Sequence, residues 1–364
     1  MTSPKYRIAV DTSPLYVAPA GIARGINGIF SGFKACDCGG MDIQPFAWEV
    51  HNPEYKQPGR MLKTLYREVF WSNFLAPGKL KKNQVDLLHS PGIPIIRTPI
   101  DGIKTIVSLN DLAVVRHPER FRRWHLHISK VGLQRTKQAD RVMCISQSTA
   151  DEAIHLTDID PKKLVVVHLA SDWDIDNLPK LEKPTFQVPD DFFLFVGTLE
   201  PGKNLQLLID VYQLAEERGI NLPPLVIVGV RREGVQKESG LQNKDHFIFS
   251  GRIPDSQLAW LYSKARALLF PSKYEGFGIP LIEAMTLDCP VICSKVTSLG
   301  EVGGEAPIYA ELTPESYLEA IRILLSNTNV RNEAIEAGRI QSRKFSWKKT
   351  AAETLDVYRS VLES

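Results

Sequence analysis

Eleven short runs of β-branched and aromatic residues, bounded by turn residues and separated by helix-length amphipathic segments, constrain this chain most. They are RIAV (7–10), IQPFA (43–47), LLHS (87–90), KTIVSL (104–109), RVMCIS (141–146), LVVVH (164–168), FFLFVG (192–197), PLVIVG (224–229), HFIFSG (246–251), ALLFP (267–271) and PVICS (290–294). Continuous apolar runs alternating with helices predict βαβ units, hence parallel sheets covered on both faces. At 364 residues the chain exceeds the roughly 250–300 residues at which a single core stops growing, so two such domains are expected. The stretch 173–190, WDIDNLPKLEKPTFQVPD, holds three prolines and no clear periodicity, as a linker does. The expected organisation is therefore domains over 1–172 and 191–345, with a closing helix in 346–364. There Ser346 stands as an N-cap, and Trp347, Ala351, Leu355, Tyr358 and Val361 recur at helical spacing. Such a helix, coming after the second domain is complete, is expected to cross back to the first.

Composition removes several classes. With 43% apolar and 24% charged residues, a mainly disordered chain, a collagen and a disulfide-dense mini-protein are excluded. Lys and Arg number 44 against 42 Asp and Glu, a net charge of +2, which makes no global case for nucleic-acid binding. The N-terminal MTSPKYRIAVD lacks the apolar core of a signal peptide. No run approaches the roughly 18 apolar residues of a membrane span, so a cytoplasmic location, at most peripheral to a membrane, is expected. Five cysteines, an odd number, fit a reducing compartment. Cys36 and Cys38 form a CxC pair without zinc-finger spacing elsewhere, and Cys289 and Cys293 flank an apolar strand where Cys acts as a small hydrophobe. No metal is expected.

Chemistry concentrates where strands run into helices. After ALLFP comes Pro271-Ser-Lys-Tyr-Glu-Gly-Phe-Gly-Ile-Pro-Leu-Ile-Glu283, with Pro280 suited to a helix's first turn. Gly276 and Gly278 permit close backbone approach there. The loop brings N–H groups and a positive dipole end to one point at a strand's carboxyl edge, which suits an anion. Glu275 and Glu283 would repel phosphate, so they are read as acceptors for neutral hydroxyls; a tight turn with a favourable helix-start acid fits equally. After FFLFVG, Gly197-Thr198-Leu-Glu-Pro-Gly202-Lys203-Asn-Leu repeats the strand–turn–helix pattern. Lys203 at a helix start opposes the macrodipole by roughly 0.3–1 kcal/mol unless an anion intervenes. Arg252, after HFIFSG, suits a bidentate phosphate contact or a solvated turn. In the first half, Asp11-Thr-Ser…Gly21-Ile-Ala-Arg-Gly25 reads as a flexible glycine loop, and Asn110-Asp111 ends the KTIVSL strand, as site residues or as a cap. None of these loops reads GxGxxG, which argues against an NAD-binding unit.

Taken together, EGFGIPLIE with its two glutamates separated by seven residues, GTLEPGKNL, SGRIPDSQLAWLYSKARALLFPS, VTSLGEVGGEAPIY and FSWKKTAAETL resemble, in order, the retaining GT-B glycosyltransferases of family 4. GIARGI, DLLHSP, SLNDLAVVRHPERF and ADRVMCISQSTADE resemble the bacterial mannosyltransferase-like branch. The resemblance spans nearly the whole chain. It implies an α/β fold of two Rossmann-like domains with parallel sheets facing a central cleft, the nucleotide-sugar mainly on the C-terminal domain and the acceptor mainly on the N-terminal one. Carried over, Glu283 binds the ribose hydroxyls, Glu275 contacts the donor sugar, and the amides of Phe277 and Gly278 meet sugar and phosphate. Lys203 neutralises the diphosphate and Gly21 approaches it from the opposite wall. Glu275, Lys203 and Asp111 form the catalytic set; Gly21, Asn110, Thr198, Arg252, Gly276, Phe277, Gly278 and Glu283 complete the donor site. The chain departs from the pattern at Asn110, where the family often has His, and at Thr198 or Gly202, where Arg is common; Arg252 or Arg24 would compensate.

The activity so implied is metal-independent transfer, with retention, of a hexose from a nucleoside-diphosphate sugar to a hydroxyl of a glycan or lipid-linked acceptor. GDP-mannose is the first expectation from the branch, with UDP- and other GDP-sugars as alternatives. A GT-B sugar-nucleotide epimerase or hydrolase, or a nucleotide-sugar-binding subunit without turnover, remain alternatives that donor consumption with and without acceptor separates. The basic segments 79–82 and 116–141, interleaved with Trp124, Leu126, Ile128 and Val131, suit either anionic lipid or a solvated helix face.

Overall fold

The computed structural model describes residues 5–16, 21–48, 66–121, 123–173, 178–231 and 246–364. Packing divides the chain into two compact units, Met1–Asp172 with Ser346–Ser364, and Trp173–Phe345.

In the first unit, β1 (Tyr6–Asp11), β2 (Met41–Phe46), β3 (Leu87–Pro91), β4 (Lys104–Leu109), β5 (Arg141–Cys144) and β6 (Leu164–Val166) form one sheet in the order β2-β1-β3-β4-β5-β6. Every pairing is parallel. The helices are α1 (Gly21–Lys34), α2 (Ala76–Lys82) after a π-helical turn at Tyr66–Leu75, α3 (Ala113–Arg116), α4 (Arg123–Gln138) and α5 (Gln147–Leu156). Adjacent residues of β4 serve opposite faces. Ile106 packs with Ile29 and Phe33 of α1, whereas Val107 packs with Ala150 and Ala153 of α5. Burial on both faces is why the strands read as unbroken apolar runs.

The second unit repeats the plan with β7 (Phe193–Val196), β8 (Leu225–Val228), β9 (Phe247–Gly251), β10 (Leu268–Phe270), β11 (Val291–Cys293) and β12 (Ile308–Tyr309), ordered β12-β11-β10-β7-β8-β9. Its helices are α6 (Leu205–Glu217), α7 (Asp255–Lys264), α8 (Ile279–Thr286), α9 (Leu299–Gly303), α10 (Pro314–Ser326) and α11 (Thr328–Ser342). Phe193, Phe195, Leu225, Ile227, Leu269 and Ile292 bury one sheet face against α6 and α10. All eleven runs are strands. The twelfth, β12, is two half-buried residues long and leaves no run to detect.

The closing helix α12 (Trp347–Leu362) starts at Ser346, whose Oγ accepts the Lys349 N–H at 3.3 Å, and it packs on α1 of the first unit. Of the 173–190 stretch, 174–177 lie outside the described residues and 178–190 carry no helix or strand.

One expectation is corrected. Gly21–Gly25 is the first turn of α1, not a loop. The glycines of this helix serve packing: a Cβ on Gly28 would lie 2.0 Å from the Trp347 indole, and one on Gly32 2.1 Å from the Trp347 carbonyl oxygen. Small residues let α1 and α12 approach closely.

Candidate functional site

In the second sheet the strand order reverses between β7 and β10. Ligands of open α/β sheets bind in the crevice outside the carboxyl ends at such a point. The loops leaving β7 and β10 therefore meet there, and the Lys273 N–H joins them by a 2.8 Å bond to the Gly202 carbonyl. Lys203 leaves the first loop and Glu275 the second. Their Nζ and Oε1 are 2.5 Å apart, with side chains 20% and 11% exposed. The Lys203 ammonium also stands 5.4 Å from the Phe270 ring centroid. Lys203 stands immediately before Asn204, the N-cap of α6, with a carboxylate against its ammonium. It ends a 3-10 turn, Pro201–Lys203, and Asn204 in left-handed conformation (φ 57°) separates it from α6. The partner carboxylate is Glu275.

Gly278 enters α8 with φ 113°, and a Cβ there would lie 2.9 Å from Leu299 Cδ2, so only glycine suits the turn. Phe277 is buried edge-on against Phe345, ring centroids 5.7 Å apart. Pro280 lies in the first turn of α8, and Glu283 follows on the same helix. Glu283 is 2% exposed, and its Oε2 accepts the Tyr262 hydroxyl at 3.0 Å. Tyr262, itself fully buried on α7, meets Trp173 edge-on at 5.9 Å. Behind the Glu275–Gly278 turn runs the loop after β11. Thr297 Oγ1 accepts the Glu275 N–H at 3.0 Å, and Ser298 Oγ lies 3.0 Å from the Glu275 carbonyl and 2.8 Å from that of Phe277.

Thr198, half-buried, follows Gly197 at the end of β7. A Cβ on neighbouring Gly229 would lie 1.9 Å from the Gly197 oxygen, so glycine lets these strand ends close up. Arg252 is exposed after β9, two strands from β7 and so roughly 10 Å along the same sheet edge. The structure brings Lys203, Glu275, Gly276, Phe277 and Gly278 together and sets Arg252 apart at that edge.

The first sheet reverses between β1 and β3. Here Gly92 (φ 136°) follows β3, and a Cβ on it would lie 3.7 Å from both Asn110 Nδ2 and Ile22 Cδ1. The end of β4 and the first turn of α1, which begins at Gly21, thus converge on one edge. Asp111 Oδ1 accepts the Ala113 N–H at 2.9 Å, an Asx turn just before Leu112, the N-cap of α3. Asp11, 4% exposed at the end of β1, accepts the Ser13 N–H, and burial raises its pKa.

Sequence reasoning missed Tyr262, Thr297 and Ser298 as shapers of this site. Their partners lie 21 to 23 residues away, beyond any local motif.

Many cations of the basic segments are matched locally. Lys81 pairs with Asp101 at 3.6 Å, Arg116 with Glu152 at 3.1 Å and Lys137 with Asp158 at 2.6 Å. Arg135 donates to the Ile95 carbonyl and Asn73 Oδ1. Arg122 and the Trp124 side chain lie outside the described residues. Among the described residues no helix is long and apolar enough to cross a membrane, and no three His, Cys, Asp or Glu side chains gather as a metal-ligand set. Burial pushes the Cys289 thiol up to about 12.

Two family models match in tandem, Glycosyltransferase Family 4 over residues 38–172 and Glycosyl transferases group 1 over residues 179–341. The chain is 30% identical over 271 residues to the O-antigen chain mannosyltransferase B of Escherichia coli, covering 70% of each protein. It is 29% identical over 291 residues to the serotype-specific mannosyltransferase WbdA of the same species, but spans only 35% of that longer protein. Among solved structures it resembles sucrose-phosphate synthase of Thermosynechococcus elongatus (TM-score 0.75, 19% identity, 99% of this chain and 100% of that one). It also resembles Anabaena HepE in complex with UDP and glucose (TM-score 0.68, 16% identity, 97% and 99%).

Proposed function

Because the chain belongs to glycosyltransferase family 4, the glycosyl transferases group 1, and is a glycosyltransferase of GT-B fold, we propose that it transfers a hexose with retention from a nucleoside-diphosphate sugar to an acceptor hydroxyl. Mannose is the proposed sugar and GDP-mannose the proposed donor, because the similar E. coli proteins are mannosyltransferases. The proposed acceptor is a glycan, free or lipid-linked, since one of those relatives works on an O-antigen chain.

The observation that carries this reading is the Lys203–Glu275 pair at the strand-order reversal of the second sheet. An ammonium has three donor hydrogens, so Lys203 can keep Glu275 and still donate to a diphosphate oxygen. Glu275 then faces the sugar's hydroxyls, as the neighbouring amides of Phe277 and Gly278 face sugar and phosphate. Glu283 accepts from the ribose hydroxyls. In the reaction the bond from C1 of the sugar to the β-phosphate oxygen breaks through an oxocarbenium-like transition state, and C1 bonds to the acceptor oxygen on the same face. The acceptor's proton passes to an oxygen of the departing diphosphate. Charge growing on that leaving group is met by Lys203 and by fixed amides, which need no reorganisation at the moment of reaction. Asn110 and Asp111 are proposed to position sugar and acceptor.

Donor consumption with and without acceptor tests the reading. Acceptor-dependent nucleoside diphosphate release is expected. Acceptor-independent loss would indicate an epimerase or hydrolase, and binding without loss a non-catalytic subunit. The donor follows from a nucleotide-sugar panel, because a ligand that binds only the native state raises the melting temperature.

A further inference from the structure

We infer that Thr297 and Ser298 are positioning residues for the donor: together they clamp the Glu275–Gly278 turn in its binding conformation. The inference rests on the reading that this turn holds a nucleoside-diphosphate sugar. Thr297 has φ 46°, in the left-handed region that a β-branched residue occupies only when its surroundings force it. What the conformation achieves is visible next to it. The Thr297 hydroxyl oxygen accepts the Glu275 N–H at 3.0 Å, which fixes the backbone at the residue whose carboxylate holds Lys203. One residue on, the Ser298 hydroxyl, fully buried, reaches the carbonyls of both Glu275 and Phe277, at 3.0 and 2.8 Å.

Peptide planarity turns those two contacts into a directional device. In a trans peptide the N–H points opposite to the preceding C=O. Drawing the Glu275 and Phe277 carbonyls toward one hydroxyl therefore directs the Gly276 and Gly278 N–H groups away from it. Gly278 (φ 113°) is also the residue that enters α8, so its amide joins the positive end of that helix. The buried Ser298 hydroxyl thereby fixes the direction of two alternate peptide planes of the turn. The strand order puts the clamp within reach, since β11 is the neighbour of β10. Strain at Thr297 thus persists because relieving it would release the Glu275 amide.

The test compares Thr297→Ala, Thr297→Gly and Thr297→Ser, with Glu275→Gln alongside. Affinity for GDP-mannose and UDP-glucose is measured by calorimetry, and amide hydrogen exchange of the 273–279 segment is followed in the ligand-free protein. Thr297→Ala is expected to weaken donor binding about tenfold, the loss of one hydrogen bond, and to speed exchange in that segment alone. Thr297→Gly is expected to weaken the donor similarly while melting no lower than the parent, since glycine relieves the backbone; a residue serving stability alone would lose both together. Thr297→Ser keeps the hydroxyl and restores affinity and protection. Unchanged exchange in Thr297→Ala, or equal weakening in Thr297→Ser, would overturn the clamp. Faster exchange with Glu275→Gln leaving donor affinity untouched would retain the clamp and remove the donor from this turn.

Discussion

Lys203 and Glu275 stand 72 residues apart in sequence and 2.5 Å apart in space. Removing the ammonium takes away the charge proposed to stabilise the leaving diphosphate, so Lys203→Ala is expected to lower turnover by about 10²–10³-fold, read from steady-state kinetics at saturating donor. Glu283 offers a second measurement at this scale. The Tyr262 hydroxyl donates to it inside a fully buried environment. Tyr262→Phe removes that donor without changing shape, at an expected cost of about 1–3 kcal/mol by urea melting. The donor KM should rise while the acceptor KM stays constant, because the bond lies behind the carboxylate proposed to hold the ribose.

Elements act here chiefly through how closely they approach. On α1, Gly25 and Gly32 look alike in sequence and differ in what surrounds them. A Cβ on Gly32 meets the Trp347 carbonyl oxygen at 2.1 Å, whereas one on Gly25 finds its nearest neighbour, Leu169 Cδ2, at 4.0 Å. Gly32→Ala should therefore destabilise by about 1–3 kcal/mol through overpacking against backbone. Gly25→Ala should stabilise by roughly 0.5–1 kcal/mol through helix propensity. Denaturant melts of both variants check the opposite signs. α12 is further anchored by the Tyr358 hydroxyl on His89 Nδ1 at 2.7 Å, by Thr350 Oγ1 on the His168 carbonyl at 2.8 Å and by Trp347 Nε1 on Asp172 at 3.0 Å.

At the level of the whole molecule, stability against acid turns on a buried histidine of the first unit. His89, buried in the first, has both ring nitrogens engaged, by Tyr358 and by Ser108 Oγ at 2.8 Å, and burial lowers its pKa to about 3. The unfolded chain takes up a proton near pH 6.5 that the folded one refuses until about 3, so stability is present above 6.5 and is lost as pH falls through that window. Between pH 7.5 and 5 the loss is about 2 kcal/mol. Asp11, raised by burial, works in the opposite sense at the acid end. The stability difference between the parent and His89→Gln, followed by urea melting across pH, isolates the histidine; a flat difference would contradict its buried neutral state.

The sequence by itself determined the alternation of strand and helix, because residues buried on both faces of a parallel strand must be apolar throughout. It also marked the loops after β7 and β10, since glycine, proline and charge at a strand's end answer local backbone demands. Only the tertiary structure decided which of those loops meet. The order β12-β11-β10-β7-β8-β9 is a matter of crossover, not of local pattern, and it alone sets Lys203 against Glu275 and Arg252 aside. Likewise α1 read as a flexible loop because glycine's lack of a side chain looks the same whether it frees the backbone or admits a neighbouring helix. Thr297, Ser298 and Tyr262 stayed silent for a related reason: a hydrogen bond across 21 or more residues leaves no periodic trace in the chain that makes it.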